Sequence, residues 1–313
     1  MKLLRLVPVN TNIQFINKRL MAFAFSAFLI AASIGLFLSQ GLNLGIDFLG
    51  GILIEAKTDG PADISKLRRE MNGLDLGEIK LQEFGAPDDI LIRIQKQEGG
   101  EKAQQAAIRK VKAALDSSVV EYRRTEFVGP TVGAELREAA TWAVFSAIGA
   151  ILLYIWFRFE WQFGLGAVIA LLHDVITTIG LFALLQLEFN LATVAAILTI
   201  AGYSINDTVV VYDRVRENMR RYKKMPYEEL FNNAINQTLS RTVVTSVTTL
   251  LALIALYIFG GEVIRGFSIA LIWGVLIGTY SSIALAVPFL LYIRPARGGE
   301  DEADEAASGA SAS

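Results

Sequence analysis

Apolar residues along the chain are not spread at the period of a soluble helix or strand. They gather into six long runs, 20–38, 139–157, 163–187, 191–212, 242–260 and 267–293. A helix crosses the hydrocarbon core of a bilayer with about 20 such residues, so each run predicts a transmembrane helix. Of the 29 Lys and Arg and the 31 Asp and Glu in the chain, only Asp174 and Asp207 fall inside the runs. The sole histidine, His173, stands beside the first of them. The first run follows Lys18 and Arg19, as the apolar part of a secretory signal would. It is longer than the about 7–15 residues usual there, and five more runs follow, so it reads as a retained span.

Between the first two runs the pattern changes. Residues 51–58 and 118–128 read as strands, 62–71 and 101–115 as helices, and 78–84 and 89–95 as a hairpin turning at 85–88. The order β-α-β-β-α-β predicts a small α/β ferredoxin-like domain of the split βαβ kind over 39–138. It has no His, no Cys and no carboxylates at metal-ligand spacing. Such a module is expected to bind or move against something rather than to catalyse. No metal site and no cofactor is expected.

Composition agrees with a membrane protein. Hydrophobic residues make up 53% of the 313 and charged residues 19%, against about 25% charged in a typical soluble domain. The absence of cysteine excludes disulfides, thiolate chemistry and iron–sulfur clusters. A net charge of -2 argues against a nucleic-acid partner. Lys2, Arg5, Lys18 and Arg19 precede the first span, Arg214, Arg216, Arg220, Arg221, Lys223 and Lys224 follow the fourth, and Arg294 and Arg297 follow the sixth. Positive charge concentrates on the cytoplasmic side. The expected layout is therefore a cytoplasmic arm at 1–19, a first span at 20–38, an outer domain at 39–138, five spans within 139–293 and a cytoplasmic tail at 294–313, acidic and disordered from Gly298.

Charge inside a membrane costs at least about 2.5–3.5 kcal/mol on insertion scales and marks candidate function. Asp207 in span four lies about 8–9 Å inside Asp213, the first charge beyond the run. It is either a working acid or an acid close enough to the interface for water to reach. Arg241, at the edge of span five, is either its partner or an ordinary interfacial arginine. At 100° per residue, Arg241 shares a 120° stripe with Thr242, Thr245, Thr248 and Thr249, so this face is expected to meet protein or water rather than lipid. His173 and Asp174 lie near the middle of span three, as part of a proton path or as helix-packing hydrogen bonders. Asp213 and its neighbours read as a solvated helix end. Gly274-x-x-x-Gly278-x-x-x-Ser282 forms a small-residue ridge on span six, which Pro288 is expected to kink.

These residues, with GIDFLGG at 45–51, FVGPTVGAEL at 127–136, LHDV at 172–175, IAGYSINDTVVVYDRVREN at 200–218, SRTVVTS at 240–246 and GFS at 266–268, resemble the SecD/SecF family of bacterial protein-export subunits, which lies in the RND superfamily. The short outer domain places the resemblance on the SecF side. It implies half of a pseudo-symmetric twelve-span unit completed by SecD in the inner membrane. That unit would use the proton motive force to promote preprotein translocation after SecA and the SecYEG channel have begun it. Implied partners are SecD, SecYEG, the translocating preprotein, the lipid bilayer, and YajC and YidC as further candidates. Implied proton-relay residues are Asp207 and Arg241; His173, Asp174, Asn206 and Asp213 are candidates for the relay or for helix packing. Gly50, Gly51, Gly129, Pro130 and Gly133 are expected to couple the outer domain to the helices.

Three rival readings differ in what the polar residues do. A passive scaffold would use them only to hold helices together. An RND-type exporter of small molecules would need a large apolar pocket in the outer domain. An intramembrane aspartyl protease would need Asp174 and Asp207 at one depth to share a proton, whereas the positions place Asp174 near the midplane and Asp207 nearer the cytoplasm.

Overall fold

The computed structural model describes residues 11–295, so the expectations for Lys2, Arg5, Arg297 and the tail from Gly298 lie outside the described residues. A 3-10 turn, Ile16–Lys18, leads into α1 (Arg19–Gln40), β1 (Asn43–Leu44), α2 (Ile46–Leu49) and β2 (Gly51–Thr58). Next come α3 (Ile64–Asn72), β3 (Ile79–Phe84), β4 (Ala86–Ile94), α4 (Gly100–Leu115) and β5 (Val119–Val128). Then follow α5 (Pro130–Arg158), α6 (Trp161–Leu185), β6 (Glu188–Phe189), α7 (Leu191–Arg221) and α8 (Tyr227–Phe259). The last span is α9 (Arg265–Ser281), a π-helical turn at Ser282–Ala286, and α10 (Val287–Ile293). Among the described residues, six helical stretches are long and apolar enough to cross a membrane.

The chain divides into two compact units: an α/β unit of Leu42–Val144 with Leu187–Val194, and a helical unit of the rest. In the α/β unit a four-stranded antiparallel sheet has the order β3-β4-β2-β5. This is the split βαβ order, and alternation explains it. Ile52, Ile54 and Ala56 of β2 and Ile90, Ile92 and Ile94 of β4 share one face, and Leu67 and Met71 of α3 and Ala107, Val111 and Leu115 of α4 cover it. Asp63 caps α3 by accepting the Lys66 amide at 2.9 Å. The hairpin is tighter than the expected turn at 85–88. Strand β4 resumes at Ala86, because Gly85 takes a positive φ of 87° that reverses the chain in a single residue.

The α/β unit also recruits a segment the sequence pattern leaves as a plain loop. Strand β6 pairs in parallel with β1, Asn43 opposite Glu188 and Leu44 opposite Phe189. The first turn of α7 therefore begins inside the α/β unit.

In the helical unit, α6, α7 and the last span are central, with 50%, 56% and 56% of their most apolar windows buried, against 6–11% for α1, α5 and α8. Their common core includes Phe163, Ala167, Tyr212, Val215, Phe231, Ile235, Ala286 and Leu290. Phe163 and Tyr212 meet edge to face at 5.1 Å.

Two boundaries depart from the expectation. Span five was expected from residue 242, but α8 starts at Tyr227. Its first half is amphipathic rather than apolar, with Leu230, Phe231, Ala234, Ile235 and Thr238 buried at helical spacing. The arm docks there: Asn232 Oδ1 accepts the Phe15 amide at 2.9 Å, and Asn236 Oδ1 accepts the Ile13 amide at 2.9 Å. In the last span the irregularity lies before Pro288, as a π turn at Ser282–Ala286. Proline lacks an amide proton and crowds the preceding turn, and the extra residue in that turn accommodates it. The Ala286 carbonyl accepts the Tyr212 hydroxyl at 3.1 Å.

Candidate functional site

The site is built where α7 meets the last span. A Cβ at Gly274 would collide with the Ile200 side chain, and one at Gly278 would lie 3.2 Å from Ser204 Cβ. One turn further on, Thr208 Oγ1 and Ser282 Oγ are 2.8 Å apart. The ridge 274/278/282 thus lies along 200/204/208, both at four-residue spacing. Small residues let the backbones approach closely enough for hydroxyls to bridge them.

Asp174 of α6 is inserted into this seam and is fully buried. Its Oδ1 lies 2.9 Å from His173 Nδ1, and its Oδ2 accepts hydroxyls from Ser204 at 2.6 Å and Ser281 at 2.7 Å. One carboxylate therefore ties three helices together. The sequence marks Asp174 as a candidate but not its partners, since serines in apolar helices are common. The four-residue spacing could have found Ser204 but not Ser281, which lies off both rows. His173 is buried with its Nε2 unbonded, its ring 6.0 Å from that of Tyr280.

Asp207 differs. It is 8% exposed, its Oδ1 accepts the Thr242 hydroxyl at 2.8 Å, and its Oδ2 is buried with no hydrogen-bond partner. The direct pairing expected with Arg241 is replaced by this bond to the neighbouring threonine. Arg241 is exposed and forms no ion pair with Asp207. At helical spacing, residues 241 and 242 point about 100° apart, so only one of them can face Asp207 directly. The threonine stripe is likewise only partly an interior face. The buried row is Thr238, Thr242 and Ser246, whereas the Thr245 and Thr248 hydroxyls bond to carbonyls of their own helix.

The difference in depth expected between the two acids is compressed. Asp174 reaches Ser204, only three residues from Asp207, or about 4.5 Å along α7. They nonetheless address different helices, and no hydrogen bond joins them, so there is no shared-proton dyad. Asn206 is exposed beside Asp207. Asp213 is held by Arg158 of α5 through both carboxylate oxygens at 2.7 and 2.9 Å, which makes it part of a helix-end ion pair. No cluster able to hold a metal occurs among the described residues.

The glycine segments expected to couple the units meet inside the α/β unit. Gly50 and Gly51 have positive φ of 70° and 121°, and a Cβ on Gly51 would lie 2.5 Å from the Ile94 carbonyl. A Cβ on Gly133 would lie 3.1 Å from the Gly50 amide nitrogen, so the two segments pack backbone to backbone. Gly129 accepts the Gly133 amide at 2.9 Å across Pro130, in the first turn of α5. A set of polar residues missed by the sequence reading surrounds them. Asp47 accepts the Leu191 amide at 2.9 Å, capping α7, and Arg93 binds Glu188 at 2.7 Å and Asn43 at 2.8 Å. The first turn of α7, itself part of the α/β unit, is thus held within that unit.

Known proteins resemble the chain over most of its length. It matches the family described as "Protein export membrane protein SecD/SecF, C-terminal" over residues 107–296, and the SecD/SecF GG motif over 35–62. It is 48% identical to a protein translocase subunit SecF of Cereibacter sphaeroides, covering 95% of this chain and 94% of that one. With its counterpart in Rickettsia akari the identity is 47%, covering 92% and 94%. Among solved structures it superimposes on SecDF, a translocon-associated membrane protein from Thermus thermophilus, with a TM-score of 0.84 and 36% identity. That match covers 92% of this chain and 40% of the larger protein.

Proposed function

Because the chain belongs to the SecD/SecF family of protein-export membrane proteins, we propose that it acts as the SecF-type half of an accessory unit driven by the proton motive force. A SecD-type subunit supplies the other half, and the unit promotes preprotein movement through SecYEG, with YajC and YidC as further associates. The chain spans the inner membrane with both termini in the cytoplasm and the α/β unit in the periplasm, which the distribution of Lys and Arg between the loops supports.

One observation carries this reading: Asp207 is a nearly buried carboxylate with one oxygen bonded to Thr242, the neighbour of Arg241, and the other unbonded. Such a group can take up a proton on Oδ2 without first breaking the Thr242 bond. Protonation cancels the charge that Arg241 feels across the α7–α8 contact and lets that contact rearrange. One charge crossing 100 mV is worth about 2.3 kcal/mol, enough to shift a two-state packing equilibrium about fiftyfold. Helix α7, continuous from the α/β unit to Asp207, carries the shift, and Asp47, Glu188 and Arg93 hold its start within that unit. Arg241 and Thr242 are positioning residues, and Asp207 holds the proton.

The test is Asp207→Asn in proteoliposomes with the SecD-type partner, following proton flux and preprotein export together. Loss of both supports the relay. Wild-type values of both would sink it.

A further inference from the structure

At the end of the helical unit where α5 stops and α7 runs on, a concavity of about 750 Å³ lies between the two helices, lined by Phe157, Arg158, Asp213 and, on α7, Arg216, Glu217, Arg220 and Arg221. Its charges are not balanced. Asp213 is taken by Arg158, and Glu217 by Arg214 at 2.8 Å. Arg216, Arg220 and Arg221 have no carboxylate within ion-pair distance among the described residues.

Two of these arginines are pre-set. The Arg216 guanidinium lies 5.5 Å from the Phe159 ring and donates to the Arg158 carbonyl at 3.4 Å, and that of Arg221 lies 5.4 Å from the Tyr222 ring. Guanidinium groups fixed on aromatic faces lose little freedom when they bind a phosphate in a forked geometry. The lining also includes Phe157, 82% exposed. Outside the lining, its chain neighbour Trp156 is 78% exposed and Trp161, on the next helix, 64%. Exposed indole and phenyl rings beside arginines at the end of an apolar helix are the side chains that sit at headgroup level in a bilayer.

We propose that this concavity binds the phosphate of an anionic phospholipid headgroup, the arginines taking the phosphate and the aromatic rim the glycerol and upper acyl chains. A soluble phosphate ester would share the first contact but leave Trp156 and Phe157 with no apolar partner, so the lipid is the favoured source.

The experiment uses the full chain in detergent, delipidated, with native mass spectrometry of added phosphatidylglycerol or phosphatidylcholine and a competing series of inorganic phosphate. The expected result is preferential retention of phosphatidylglycerol, lost in Arg220→Gln/Arg221→Gln. Each near-surface arginine is worth about fivefold, so about thirtyfold for the pair. Both side chains are exposed, so the variant is expected to unfold at the wild-type temperature. Lys18→Gln/Lys224→Gln removes the same charge from two exposed residues outside the concavity and is expected to leave retention within about twofold, a difference under 0.5 kcal/mol. An equal loss in both variants would mean diffuse attraction to a positive surface and overturn the proposal. So would equal retention of the two lipids, or displacement of phosphatidylglycerol by inorganic phosphate at comparable concentration.

Discussion

Two buried aspartates within about one helical turn of each other sit in opposite surroundings. Asp174 lies where three helices converge and has a partner for each oxygen: His173 on one, Ser204 and Ser281 on the other. Asp207 lies at the edge of the same bundle, with a single hydroxyl from α8 and a bare second oxygen. A carboxylate with partners on both oxygens resists change, because a proton added to either one must compete with a partner already in place in a dry seam. A carboxylate with one oxygen open can gain a proton and keep its remaining bond. The sequence presents both as rare intramembrane acids; the difference in their hydrogen bonding supports the proposal that Asp207 holds the proton and Asp174 the helices.

The largest effect expected from this contrast is that of Asp207→Asn, which should reduce proton flux to the level of protein-free vesicles. Asp174→Asn should instead act on stability. It exchanges an acceptor oxygen for a donor facing two serines, at a cost of about 1–3 kcal/mol, read as earlier thermal unfolding in detergent with flux per folded molecule retained. Loss of flux at wild-type stability would erase the distinction. Next is Thr242→Val, which removes the hydrogen bond to Asp207 and should slow flux about tenfold, as expected for a bond to a charged group. Thr248→Val, on the same stripe but bonded to its own helix, should leave flux unchanged. The smallest expected effect is at the Arg93–Glu188 pair. Arg93→Glu or Glu188→Arg should lower export several-fold while sparing proton flux, and the double swap should restore export. The pair is partly exposed, with side-chain exposures of 11% and 22%, so its contribution is modest.

How much of this was legible in the sequence follows from the range of each signal. The six spans stand out because charge is excluded from them, and the α/β order stands out because alternation and helical periodicity are local. The first half of α8 was missed because residues 227–241 are polar overall and include Asn232 and Thr238 among the positions they bury. The pairing of β1 with β6 was missed because nothing near Asn43 indicates Glu188, well over a hundred residues away. In the site, scarcity of charge selected Asp174 and Asp207, and position with the family resemblance put Asp207 first, but neither gives the partners that distinguish them. Those partners are Ser204, Ser281 and Thr242, small hydroxyl residues whose importance comes from what they touch. Arg241 and Asp207 were expected to pair directly, because helical angles give a face but not which neighbour on it reaches across.

The most direct measurement is pH-jump proton uptake into proteoliposomes carrying the chain with its SecD-type partner, comparing Asp207→Asn with Asp174→Asn in equal amounts of folded protein. The contrast between the two acids requires uptake to vanish in the first and persist in the second. Persistent uptake in Asp207→Asn, or its loss in a folded Asp174→Asn, would contradict it.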